Sequence, residues 1–111
     1  MMATGLQIAL EDGTVRIIRL TGELDLDTAN RSRESLESAV ATAATPTIIA
    51  DLSELTFCDS SGIRALLALH RLAADAGHEF RVREPTRAVA QVLNLTGADR
   101  LLLARDDGAT S

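Results

Sequence analysis

Lysine, tryptophan and tyrosine are absent from these 111 residues, cysteine occurs once, and the only aromatic side chains are Phe57 and Phe80. A lone Cys58 excludes an internal disulfide framework and a cysteine zinc cluster. Two phenylalanines make no stacking platform for bases, so the core must be aliphatic. Positive charge is also scarce: the formal net charge is -5. A nucleic-acid face needs the opposite balance, and an anionic membrane surface would not attract such a chain. No apolar run is long enough to cross a bilayer. The opening residues, MMATGLQIALEDG, lack the basic and long apolar segments of a secretory leader. Neither GxGxxG nor GxxxxGK(S/T) occurs, so no phosphate-cradling loop is expected. These absences predict a soluble, cytoplasmic protein without metal, cofactor, nucleic acid or membrane as partner.

Apolar residues, by contrast, make up 46% of the chain, enough for one core. The length suits a single domain, 1–111, with a tail over about 106–111. LQIAL (6–10) and TVRIIRL (14–20) read as strands of a hairpin around Asp12-Gly13. The adjacent Ile17 and Ile18 break the alternation, which predicts a bulge or a strand covered on both faces. In TGELDLD (21–27), Leu24 and Leu26 are expected on one side. Asp27 or Thr28 is positioned to cap a helix over 29–44, with Ala29, Leu36, Ala39, Val40 and Ala43 as its apolar stripe, ended by Thr45-Pro46. TIIADL (47–52) has the length and continuous apolarity of a central parallel strand buried on both faces, and SELTF follows as a loop.

A second helix is expected from Ser61 to Ala76, burying Ile63, Leu66, Leu67, His70 and Ala73 and stopped by Gly77. HEFRVRE (78–84) alternates as a strand with Phe80 and Val82 inward, Pro85 opens a helix closed by Gly97, and RLLLA (100–104) reads as a last strand. The order β-β-α-β-α-β-α-β predicts an α/β fold with a mixed, mostly parallel sheet and helices packed on it.

Chemistry concentrates at Cys58-Asp59-Ser60-Ser61-Gly62, where a strand hands over to a helix. Ser60 is flanked by Cys58-Asp59 and Ser61-Gly62, which do not make the G-x-S-x-G of a nucleophile elbow. Its only candidate bases, His70 and His78, lie two or more turns away on the same helix or past its end. A catalytic serine is therefore not expected, and the protein reads as a non-enzyme. Glu23, Asp25 and Asp27 would share one face of an extended segment, but no calcium loop follows them. Two readings stay open for them: a solvated edge with a helix cap, or an acidic patch for a partner's cations. Asp59 or Ser60 alone would suffice as a helix cap. Two readings stay open here as well: a doubled helix cap, or a modifiable hydroxyl, since a phosphate on Ser60 would sit at a helix end whose dipole and free N–H groups tolerate it. Arg64 stands one turn further on.

Three segments together resemble one family. RLTGELDLDTA (19–29), IIADLSELTFCDSSGIRALL (48–67) and RAVAQVLNLTGADRLL (87–102) are similar, in order and spacing, to the STAS domain of bacterial anti-sigma factor antagonists. The resemblance implies a mechanism. The unphosphorylated antagonist binds an anti-sigma factor that is also a serine kinase of the GHKL ATPase type, which frees a sigma factor. Phosphorylation of the first serine of D-S-S/T-G breaks the complex, and a PP2C-type phosphatase restores it. By position the acceptor is Ser60. Asp59, Ser61, Gly62, Ile63 and Arg64 shape the acceptor turn, and Glu23, Leu24 and Asp25 lie in the partner-contact region. Gly62-Ile63-Arg64 departs from the Gly-Leu-Gly of sporulation-type members. The expected state is a monomer or weak homodimer. The alternative within the family is a scaffold or lipid-transport accessory subunit that is never phosphorylated.

Overall fold

The computed structural model describes residues 5–103. Strands β1 (Leu6–Asp12) and β2 (Arg16–Leu24) pair antiparallel as the expected hairpin, with Ala9 opposite Arg19 and Asp12 opposite Arg16. Strand β3 (Thr47–Cys58) runs parallel to β2, and β4 (Glu79–Arg83) runs parallel to β3. The sheet order is β1-β2-β3-β4, so the strand holding TIIADL is central, as its apolarity implies.

Helices α1 (Leu26–Arg31), α2 (Arg33–Ala41), α3 (Ser60–Asp75), α4 (Arg87–Thr96) and α5 (Asp99–Leu102) fill the connections. One aliphatic core joins them to the sheet: Ile18, Leu20, Ile48, Ala50 and Leu52 from the strands meet Leu36, Val40, Leu66, Leu69, Val89 and Leu93 from the helices. Phe80 and Val82 point inward as expected, and Gly77 (φ +86°) and Gly97 (φ +77°) end α3 and α4 in the left-handed region that glycine tolerates.

Several expectations are corrected. β2 alternates cleanly through Ile17 and Ile18: Arg16, Ile18 and Leu20 are buried, and Ile17 is half-buried on the opposite face. The irregularities come later, as register shifts between Arg19 and Thr21 and between Gly22 and Glu23. β3 is not covered on both faces by apolar side chains. Its second face carries half-buried Ile49 and then Asp51, whose carboxylate is screened by Arg19 and Arg83 from the flanking strands. SELTF is not a loop but the second half of β3, paired with β2 as Thr21 with Glu54 and Leu24 with Cys58. The shifts let Leu55 and Cys58 turn inward there while Thr56 and Phe57 face out.

The helix expected over 29–44 starts earlier and is divided at Ser32. Neither Asp27 nor Thr28 is its N-cap. Asp25 is, in a capping box with Thr28: Asp25 Oδ1 accepts the Thr28 N–H and Thr28 Oγ1 accepts the Asp25 N–H, both at 2.9 Å. The box wins because Thr28 Oγ1 also donates to the carbonyl of Glu23, tying the cap to the end of β2. Leu24 is buried and Leu26 is 60% exposed, so the two do not share a side. α2 ends at Ala41, before Thr45-Pro46. Buried Arg16 holds that end: its guanidinium donates to the carbonyl of Ala39 and to Thr42 Oγ1, where the helix dipole favours a cation.

α3 starts at Ser60 rather than Ser61 and buries Leu69, leaving Leu67 and His70 half-exposed. Over 100–103 the expected strand is instead the end of α5, followed by a single bridge from Leu103 to Val82. Leu102 is fully buried, and that contact selects the helical turn. Ala104 and the tail expected over about 106–111 lie outside the described residues.

Candidate functional site

β3 delivers Cys58 into the core and exposes Phe57, which is 46% accessible. Asp59 turns the chain and caps α3, its Oδ1 accepting the Gly62 N–H at 2.9 Å. The carboxylate therefore does the capping, and neither serine is needed for it. Ser60 is exposed at the first helical position, and Ser61 is half-buried behind it.

Gly62 explains how this turn meets the end of β2. A Cβ there would collide with the carbonyl oxygen of Leu24 and stand 2.7 Å from Cys58 Sγ. Only hydrogen fits, so the first turn of α3 lies directly against Leu24. The Asp59 N–H also points to the Leu24 carbonyl, at 3.4 Å. The Asp59–Gly62 turn is thereby set against Leu24, the residue between Glu23 and Asp25, which is far from it in sequence. The Thr28 N–H holds the Asp25 carboxyl below its ordinary range.

The structure brings together most of the expected site. Glu23, Asp25, Asp59 and Ser61 are half-exposed, and Ser60 and Arg64 are exposed. Leu24, Gly62 and Ile63 are buried and position the turn rather than present side chains. The acidic row is not a single face: Glu23 ends a strand, Asp25 caps α1, and Asp27 pairs with Arg31 inside α1 at 2.9 Å. Sequence reading missed the groove between α1, α2 and α3, in which Leu26, Arg33 and Glu37 face Ser61, Arg64 and Ala65. Exposed Leu26, one residue past the Asp25 cap, was the available signal.

Other chemistries lack a setting. Burial, reinforced by the neighbouring Asp59 charge, pushes the Cys58 thiol up to about 12, so it stays protonated at neutral pH and is a poor nucleophile. His78 uses Nδ1 to meet the Thr45 carbonyl at 2.7 Å, and His70 lies roughly 15 Å along the α3 axis from Ser60. Neither can take a proton from Ser60. Among the described residues no group of three His, Cys, Asp or Glu side chains converges as a metal site.

A family profile described as "Mlab, STAS domain" matches residues 7–104. This chain belongs to the STAS domain family. An anti-sigma F factor antagonist of Paenibacillus polymyxa is 31% identical over 103 residues, covering 92% of this STAS domain and 88% of that protein. The structure of the anti-sigma factor antagonist SpoIIAA in its unphosphorylated form superposes with a TM-score of 0.71 at 26% identity, covering 95% of this chain and 92% of that one. The Bacillus cell fate determinant SpoIIAA in its phosphorylated form gives 0.60 at 28% identity, covering 95% and 96%. The four-stranded mixed sheet with its helices is thus the STAS architecture.

Proposed function

We propose that this STAS domain is an anti-sigma factor antagonist switched by phosphorylation of Ser60. The observation that carries the reading is the division of labour at the turn: Asp59 caps the helix, leaving Ser60 exposed and dispensable to the fold. Relatives named as antagonists, and a structural neighbour in phosphorylated form, support it. Unphosphorylated, the surface around Ser60 binds an anti-sigma factor that is a serine kinase of the GHKL ATPase type, and the sigma factor is released. Glu23 and Asp25 offer carboxylates to the partner's cations, while Ser61 and Arg64 contribute from α3.

In the transfer, Ser60 Oγ bonds to the γ-phosphorus of the kinase's ATP. The bond from that phosphorus to the β–γ bridging oxygen breaks, ADP leaves, and the hydroxyl proton passes to a base on the kinase. The STAS domain itself needs no cofactor. The phosphate adds about two negative charges beside Glu23 and Asp25, and the helix N-terminus offsets them within the fold. The partner, however, meets a surface of inverted electrostatics and lets go. A PP2C-type phosphatase reverses the step, all within the cytoplasm.

Incubation with the cognate anti-sigma kinase and ATP should add one phosphate to wild type and none to Ser60→Ala, read by intact mass. Ser60→Asp should weaken kinase binding by roughly a hundredfold or more, about 2.8 kcal/mol. Labelling of the Ala variant would overturn Ser60 as the acceptor, and equal binding of both forms would remove the switch and leave the accessory-subunit reading.

A further inference from the structure

The two edges of the sheet are treated differently. At the β4 edge, Glu79, Arg81 and Arg83 are charged, and Leu103 bridges to Val82. These are the usual devices that keep an edge from pairing. β1 has none of them over Leu6–Leu10: no charge, no proline, and a pairing with β2 that runs without a register shift. Among the described residues nothing pairs with its outer edge. On the helix side of β1, Ile8 is half-buried and Leu10 is 48% exposed. They line a shallow cleft whose other wall is Glu34, Ser35, Ser38 and Ala39 of α2. Apart from Glu34, that wall is made of small side chains and does not obstruct an approaching strand.

β1 is complementary to itself in one orientation. Antiparallel pairing about Ala9 places Leu10 opposite Ile8 of a second copy, on the side of the apolar cleft. It places Glu11 opposite Gln7 and Asp12 opposite Leu6, so no like charges face each other. A parallel pairing would set Glu11 beside Glu11 and Asp12 beside Asp12, and it would not close. Twofold symmetry does close, with the same patch used on both copies.

We propose that β1 is a homodimer interface, joining two copies edge to edge into one continuous sheet. The main-chain groups of the β1 edge are satisfied by the second copy, and Leu10 is covered by Ile8 across the axis. The contact is one strand long, smaller than a standard stable interface, so the dimer dissociates in the micromolar range. The proposal uses no feature of the Ser60 turn, and its failure would leave the phosphorylation reading untouched.

Sedimentation equilibrium across micromolar concentrations should show the mass rise from one chain to two. Leu10→Arg should weaken the dimer by about tenfold or more, because it buries a charge against Ile8. Leu95→Arg, at a 79% exposed position on α4, should leave it unchanged. Ala9→Cys should form a disulfide between copies on mild oxidation, since position 9 meets itself on the axis. Circular dichroism melts would verify that each variant folds. Single-chain mass at every concentration would overturn the proposal. So would a dimer indifferent to Leu10→Arg and not captured through position 9.

Discussion

Gly62 is the residue on which the acceptor turn depends. An alanine in the first turn of a helix gains up to about 1 kcal/mol in propensity over glycine. Here its methyl would strike the Leu24 carbonyl, a backbone atom that cannot rotate away. Overpacking of that kind costs about 1–3 kcal/mol. Gly62→Ala should therefore be destabilised by about 1–2 kcal/mol in urea unfolding, and should be phosphorylated more slowly than its stability alone accounts for. Unchanged stability would mean that the helix start does not press on β2.

Cys58 gives a pH test at the same scale. Burial raises its thiol from 9.0 to about 12 in the folded state. Between those values the unfolded chain has lost the proton and the folded chain has kept it, so stability falls as pH rises. Guanidinium midpoints of wild type should drop across that alkaline window, and those of Cys58→Ala should drop less. Parallel profiles would place the thiol in contact with solvent.

At the scale of elements, the sheet face away from the core is held by charge. Asp51 sits on β3 between Arg19 of β2 and Arg83 of β4, at 3.7 and 3.1 Å. Burial works to raise its carboxyl, but hydrogen bonds from the Ser53 N–H and hydroxyl, together with Arg83, outweigh it and the net shift is downward. A depressed carboxylate contributes stability above its unfolded pKa, and that contribution is lost as pH falls through the folded value. Asp51→Asn should cost about 1–3 kcal/mol at neutral pH. The gap to wild type should close on acidification, and a gap constant with pH would assign the loss to shape instead of charge. Elements were also where sequence reading failed most. The residues of the capping box, Asp25 and Thr28, are present in the sequence, but Asp27 or Thr28 is the cap that it suggests. What selects Asp25 is the bond from Thr28 to the Glu23 carbonyl, which exists only once β2 is in place. RLLLA has strand composition, yet Leu102 reaches the core from a helical turn. Packing overrides propensity in so short a segment.

Across the whole molecule, one aliphatic core spans every helix and the inner face of the sheet, while Ser60 stands outside it. Ser60→Asp should accordingly unfold in one cooperative step within about 0.5 kcal/mol of wild type. A large loss would show that the fold, and not the interface, responds to the charge. The alternation of strands and helices, the central strand, the inward Phe80 and Val82 and the glycine stops were all legible in the chain, because burial period and backbone freedom are local properties. So was Ser60 as a hydroxyl beyond what a cap requires. Its setting was not. The start of α3 meets the end of β2 only because Gly62 lets it touch Leu24, and the groove of Leu26, Arg33 and Arg64 forms only where three helices meet. Sequence by itself determined which residues are apolar, which turn, and which offer a hydroxyl beside a helix cap. Tertiary structure decided which of them are neighbours, because contacts between distant segments depend on register and close approach, and neither is encoded at any single position.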